Sequence, residues 1–139
     1  MKEHPENFPP LNTAEYDPIL HGFTNGFIDA ANRKDAVTQS NYYGPTVDYM
    51  NYGTVSRSFV LQDIRKYNDK WPVRRLLMQS WQGITGDEAH GADVRYTIQF
   101  MVERPGKTIT GIAEEHLKIL EIKGVNSIIW QRETVTLRH

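Results

Sequence analysis

The second half of the chain alternates apolar and polar residues over four long stretches, which short glycine-bearing turns separate. The alternation is clearest between Val94 and Val102, where every second residue is apolar. A period of two is typical of a strand with one buried face, and strands joined by such short turns pair antiparallel. We therefore expect a sheet whose four strands cover about residues 73–84, 92–104, 108–121 and 127–138.

The first half has a helical pattern instead. Apolar residues at a spacing of three to four predict an amphipathic helix over about 13–33, with Asn12 and Glu15 as its capping box. Gly22 and Gly26 weaken this helix, so we expect them to allow a close contact with the backbone. Helices followed by antiparallel strands indicate an α+β domain, with the helices packed on one face of a curved sheet.

The stretch between the first helix and the long strands is more broken. It predicts a short helix at about 35–42, and then Gly44 and Pro45 break the chain. A strand at about 46–50 follows this break. Ser56 can cap a further helix, which Pro72 ends near residue 70.

Length and composition limit the function. The 139 residues fit one domain, which we place at 13–139 behind a flexible leader at 1–12. Sixteen Lys and Arg against seventeen Asp and Glu leave a formal charge of −1, so neither nucleic acid nor an anionic membrane is an expected partner. Cysteine is absent, which excludes disulfides and thiolate chemistry. No apolar run approaches the ~20 residues of a membrane helix, so we expect a soluble protein, with the cytoplasm favoured over the periplasm.

The order of these elements resembles the nuclear transport factor 2-like superfamily. Residues 27–35, 45–48 and 115–119 resemble three segments of its small isomerases and polyketide cyclases. The stretch 47–72 resembles more closely a bacterial subfamily without an assigned activity, which is often fused to other modules such as caspase-like peptidases. The resemblance implies a cone-shaped α+β fold with a pocket between the first helix and the concave sheet. It also implies a homodimer through the outer sheet face.

The ketosteroid isomerases of this superfamily use three acidic groups. Carried over, their hydrogen-bonding tyrosine falls on Phe27, their base on Tyr49 and their second oxyanion donor on Glu115. Two of the three roles are lost, so steroid isomerisation is not expected. Because neighbouring strand residues face opposite ways, Asp48 should point away from the cone.

Glu115 lies on a strand face that is otherwise mostly apolar. Burial there would raise its pKa and suit it to general acid or base catalysis, with the Tyr49 hydroxyl assisting. The alternative, which we favour at this point, is an ion pair with Arg95 or Arg132 on a neighbouring strand.

Aromatic side chains gather around the predicted pocket. They favour core packing, and the alternative is a site for a small apolar molecule with Tyr49, Asp63 and Glu115 as polar anchors. Trp81 and Trp130 could instead lie on the outer sheet face, and we expect a homodimer through the face that carries Trp81 or Trp130. Arg74 and Arg75 are expected to form a solvated strand edge. The residues of the candidate ligand pocket are Phe23, Phe27, Tyr49, Asp63, Tyr67, Trp71 and Glu115.

Metal and organic cofactors are not expected. The five histidines lack the spacing of metal ligands, and no dinucleotide or phosphate-binding motif is present. The favoured hypothesis is a non-catalytic module that binds a small ligand or a protein. The alternative is a cofactor-free lyase, isomerase or hydrolase that acts on a small apolar carbonyl or epoxide substrate, with Glu115 as its acid or base.

Overall fold

The computed structural model describes residues 9–139. Residues 1–8 of the predicted leader lie outside the described residues, whereas Leu11 donates a backbone hydrogen bond to Gly86 at 3.2 Å. Three helices pack on one six-stranded sheet, and this confirms the α+β prediction. In chain order the elements are α1 (Thr13–Asn32), α2 (Ala36–Ser40), β1 (Tyr43–Tyr49), β2 (Thr54–Ser56), α3 (Arg57–Lys70), β3 (Val73–Asp87), β4 (Gly91–Arg104), β5 (Lys107–Ile122) and β6 (Val125–Arg138).

The predicted caps set the starts of the two long helices. Asn12 accepts the backbone N–H of Glu15 at 3.3 Å at the start of α1. Ser56 accepts the backbone N–H of Phe59 at 3.1 Å at the start of α3. Each cap satisfies one backbone donor that the first helical turn leaves free. No helix of residues 9–139 is long and apolar enough to cross a membrane.

The strand order is β2-β1-β6-β5-β4-β3. All neighbours are antiparallel except β1 and β6, which are parallel. β1 begins at Tyr43, so the predicted break at Gly44 and Pro45 is wrong. The pairing with β6 is irregular between Tyr43 and Asp48, and Pro45, which has no N–H to donate, is accommodated at such an irregularity.

The core lies between the helices and the concave face of the sheet. Leu20 and Phe27 of α1 and Val60 of α3 are buried there against β4 and β5. A smaller cluster of Trp71, Val102 and Ile109 fills the end of the sheet where α3 stops.

Trp81 lies on the concave face, so the alternative that places it on the outer face is wrong. Its ring stacks on His21 of α1 with centroids 4.4 Å apart, and its Nε1 donates to the carboxylate of Asp17 at 3.2 Å. The physical reason is the register of β3, in which Trp81 lies opposite the buried Tyr96.

Candidate functional site

A cavity of about 460 Å³ opens between α1, α3 and the concave sheet. This volume suits a small organic molecule. Phe23 does not line the cavity but packs edge-on against Tyr42, with ring centroids 5.0 Å apart. The other residues of the predicted pocket line it, namely Phe27, Tyr49, Asp63, Tyr67, Trp71 and Glu115.

Glu115 lies in the cavity wall with 5% of its surface exposed. Its partner is another acid, because Glu133 of β6 lies directly opposite it. The predicted ion pair is wrong: Arg95 is exposed, and Arg132 binds Asp48 at 2.9 Å. Burial first, then the hydrogen bond and the charge of Glu133, raise the pKa of Glu115 well above its usual value.

The raised pKa favours the protonated form of the Glu115 carboxyl group. Its Oε2 is fully buried and has no hydrogen-bond donor among the described residues. An ionised carboxylate without a donor is costly to bury, whereas a protonated one can donate to Glu133 or to a bound oxygen atom. The pair thus places a buried and a more exposed carboxyl group in one wall.

Neutral hydroxyl groups surround this pair. The Tyr43 hydroxyl donates to Oε1 of Gln131 at 2.5 Å, and both side chains are buried. Tyr96 lies opposite Glu115 on β4. Burial raises the pKa of both tyrosines well above the ordinary value, with nearby groups adding to it. These phenols therefore stay protonated.

Tyr49 of β1 and Asp63 of α3 form a second polar pair in the cavity wall. The Tyr49 hydroxyl donates to Oδ2 of Asp63 at 2.7 Å, and burial raises the pKa of Tyr49 above its ordinary value. Asp48 points away from the cavity toward Arg132, which confirms that prediction. Tyr49 is thus a neutral hydroxyl held in one orientation by α3.

The opposite end of the cavity carries cations. The Arg74 guanidinium lies 4.6 Å from the ring centroid of Tyr67, and it donates to the carbonyl oxygen of Trp71 at 3.4 Å. Its Nε is buried without an acceptor. The predicted solvated edge therefore holds for Arg75, which is exposed, but is wrong for Arg74, which lines the cavity. Burial lowers the pKa of Arg74.

The sequence analysis missed Glu133 because of a bulge. The pairing of β5 with β6 shifts by one residue between Lys118 and Ile119. Without this shift, Arg132 would lie opposite Glu115. The alternation of β6 alone does not reveal the bulge, so the sequence carried no signal for the acid pair.

Within residues 9–139, no group of three or more His, Asp or Glu side chains could hold a metal ion. His116 lies on the outer face, where its ring is 2.8 Å from Asp93.

Neither a family model nor a curated protein matches the sequence. Solved structures do match its fold. One is a protein of Novosphingobium aromaticivorans provisionally named a scytalone dehydratase, with a TM-score of 0.78 and 10% identity over 92% of this chain and 88% of that one. Another is a provisionally named dehydratase of the nuclear transport factor 2-like family from Streptomyces avermitilis, with a TM-score of 0.74 and 12% identity over 89% and 98% of the two chains.

The hexachlorocyclohexane dehydrochlorinase of Novosphingobium barchaimii is also similar. Its TM-score is 0.74 at 7% identity, over 86% of each chain. At such identities the likeness concerns the fold, which hosts many unrelated functions.

Proposed function

We propose that this chain, which has the nuclear transport factor 2-like fold, binds a small and mostly apolar molecule in its cavity and transfers protons on it, as a lyase or isomerase. The observation that carries the proposal is the acid pair of Glu115 and Glu133 in the wall of a cavity of about 460 Å³. A buried acid whose pKa is raised is suited to give a proton to a substrate oxygen atom.

The two carboxyl groups divide the proton transfer between them. With a carbonyl substrate, the Glu115 O–H donates to the carbonyl oxygen while the Glu133 carboxylate takes a proton from the adjacent carbon. The C–H electrons form a C=C bond, the C=O π electrons move to oxygen, and oxygen receives the Glu115 proton. In either outcome the carbonyl reforms and the enol O–H returns its proton to Glu115. If the substrate is a β,γ-unsaturated ketone, Glu133 gives its proton to the far carbon of the dienol, which completes an isomerisation. If the substrate has a leaving group on the next carbon, that group departs with the electron pair of its bond to carbon, which completes an elimination and leaves the abstracted proton on Glu133.

The non-catalytic module, which the sequence favoured, has less support from the geometry. A pocket that only binds an apolar ligand gains nothing from two facing acids, because burying Glu115 opposes folding at neutral pH. No arginine compensates this cost among the described residues. The cavity is also not filled by Phe27 and Tyr49, although both side chains line it.

Hydrogen exchange on a simple ketone tests the proposal without knowledge of the natural substrate. We expect the protein to accelerate the exchange of the C–H hydrogens beside the carbonyl of 2-tetralone in D₂O, followed by NMR. Glu115→Gln keeps a hydrogen-bond donor but has no proton to transfer, so it should bind 2-tetralone and lose about 100-fold of the acceleration. Glu114→Gln, at the exposed neighbouring position, is the matched control and should exchange at the wild-type rate.

Two results would overturn this function. If Glu115→Gln exchanges hydrogen at the wild-type rate, Glu115 is not the acid of the reaction. Binding of 2-tetralone to the wild-type protein with no acceleration would instead identify the cavity as a non-catalytic binding site.

A further inference from the structure

We infer that the molecule bound in the cavity carries a carboxylate or an anionic group of similar shape, and that Arg74 binds this group at the end of the cavity around Trp71. This inference rests on the proposed function for the remainder of the ligand, which is an apolar body with an acceptor oxygen near Glu115. It adds a charged substrate class and a residue that determines specificity.

Arg74 has donors that the protein does not use. Its side chain is half-buried in the cavity wall. One Nη donates to the carbonyl oxygen of Trp71, while the buried Nε has no acceptor. No carboxylate of the described residues forms an ion pair with this guanidinium. An arginine presents its N–H groups as a planar fork that fits the two oxygens of a carboxylate.

The charges of the cavity are separated along its length. Lys70 and Arg138 line it together with Arg74, and none of the three pairs with a described acid. Arg74 lies opposite Val102 on β4, and Glu115 lies opposite Tyr96 on the same strand. These backbone positions are separated by six residues, or about 20 Å of extended strand. The side chains approach each other more closely inside the cavity, where the charges of Arg74, Glu115 and Glu133 all influence the Tyr67 phenol.

The acidic side chains lie at the other end. Glu115 and Glu133 face each other across β5 and β6, and Asp63 is bound to Tyr49, which pairs with β6 at Gln131. An anionic group at Arg74 is therefore attracted by the cations at that end of the cavity and kept away from the carboxyl groups at the other end. A ligand with an anionic group at one end and an acceptor oxygen at the other would lie along the cavity in one direction only.

A matched pair of ligands tests the inference. The acid is 2-tetralone with a carboxylate on the far edge of its aromatic ring, and the ester is its methyl ester, which has the same ring system without the charge. Calorimetry at low salt should show the wild-type protein binding the acid about ten-fold or more tightly than the ester, as expected for a charge-assisted hydrogen bond. Added NaCl should weaken binding of the acid and leave the ester unchanged.

Three variants locate the preference. Arg74→Gln should bind acid and ester about equally, and Arg74→Lys should keep part of the preference because it keeps the charge. Arg75→Gln, at the exposed neighbouring residue, should keep all of it. If Arg74 had a purely structural role, its substitution would weaken the binding of acid and ester alike. The ratio of the two dissociation constants is therefore the decisive quantity.

The outcomes separate this inference from the proposed function. Equal binding of acid and ester by the wild-type protein, or an undiminished preference in Arg74→Gln, overturns the inference even if exchange still depends on Glu115. Should Arg74→Gln fail to fold, the wild-type ratio and Arg74→Lys decide. If the acid is preferred but exchange is unaffected by Glu115→Gln, the anion site stands and the proposed catalysis fails.

Discussion

A one-residue bulge decides the chemistry of the candidate site. The apolar alternation of β5 correctly predicted that Glu115 is buried. Its partner depends on the pairing with β6, which slips by one residue beyond Lys118. This slip turns an expected ion pair with Arg132 into a carboxyl pair with Glu133. A side chain's burial follows from local pattern, whereas its partner follows from register, which only the folded sheet defines.

Glu115 should make the stability of the protein depend on pH. Its pKa is raised in the folded state, mainly by burial, above the ordinary value of 4.5 that unfolding restores. Between these two values the folded chain holds a proton that the unfolded chain has released, so the free energy of unfolding falls as pH rises. The fall amounts to about 1.4 kcal/mol per pH unit in that window. In Glu115→Gln, whose amide cannot ionise, this fall in the free energy of unfolding should be absent.

Urea unfolding at pH 5 and pH 8 measures this difference. We expect Glu115→Gln to gain stability relative to the wild-type protein as the pH rises. Glu114→Gln, at the exposed neighbouring residue, should follow the wild-type pH dependence. Equal pH dependence of the wild-type protein and Glu115→Gln would show that Glu115 ionises normally in the folded state.

At the scale of elements, helices were easier to predict than the first strand. Helical spacing and the caps Asn12 and Ser56 are local features, and they predicted the starts of α1 and α3. β1 instead pairs in parallel with β6, about eighty residues later in the chain. Neither the start of β1 at Tyr43 nor its passage through Pro45 could be inferred without that distant partner.

The two glycines of α1 should respond differently to alanine. Gly26 lies against the Tyr42 hydroxyl, which a Cβ would meet, whereas a Cβ at Gly22 would meet nothing within 4 Å. The predicted close contact is thus made at Gly26, by a side chain, and is wrong for Gly22. Gly22→Ala should stabilise the protein by up to about 1 kcal/mol, because alanine favours the helix.

Gly26→Ala should stabilise the protein less than Gly22→Ala does, or destabilise it, because the Tyr42 side chain must move. Combined with Tyr42→Phe, which removes the contacting hydroxyl, it should recover part of the gain. Thermal unfolding of the four variants, including Tyr42→Phe alone, checks both expectations. A similar melting temperature for Gly22→Ala and Gly26→Ala would contradict the close approach of Tyr42 to α1.

For the whole molecule, the total charge does not describe the charges of the cavity. The formal charge of −1 argues only against polyanionic partners such as nucleic acid. The fold instead collects Asp63, Glu115 and Glu133 toward one part of the cavity and places Arg74 in another. Net charge is a sum over the sequence, whereas a binding site responds to the local separation of charge. This separation depends on strand register and was beyond the reach of composition.

The outer face of the sheet carries a polar surface around Trp130. The Arg132 guanidinium lies 4.5 Å and the Lys118 amine 5.0 Å from the Trp130 ring centroid. The His116 ring meets Trp130 edge-on at 4.6 Å. Tryptophan and arginine are enriched in interfaces. We therefore propose the homodimer through this Trp130 surface, now without Trp81.

Sedimentation velocity tests this dimer. The wild-type protein at tens of micromolar, where a dimer of micromolar affinity is populated, should sediment as a dimer. Trp130→Ala removes the ring over which Lys118 and Arg132 lie. We therefore expect the dissociation constant of the dimer to increase about ten-fold or more. Tyr52→Ala, which removes an exposed aromatic ring beside Phe59, should leave the dimer intact. If the wild-type protein is a monomer at this concentration, the proposed homodimer is wrong. If Trp130→Ala is still a dimer, the interface does not include the Trp130 surface.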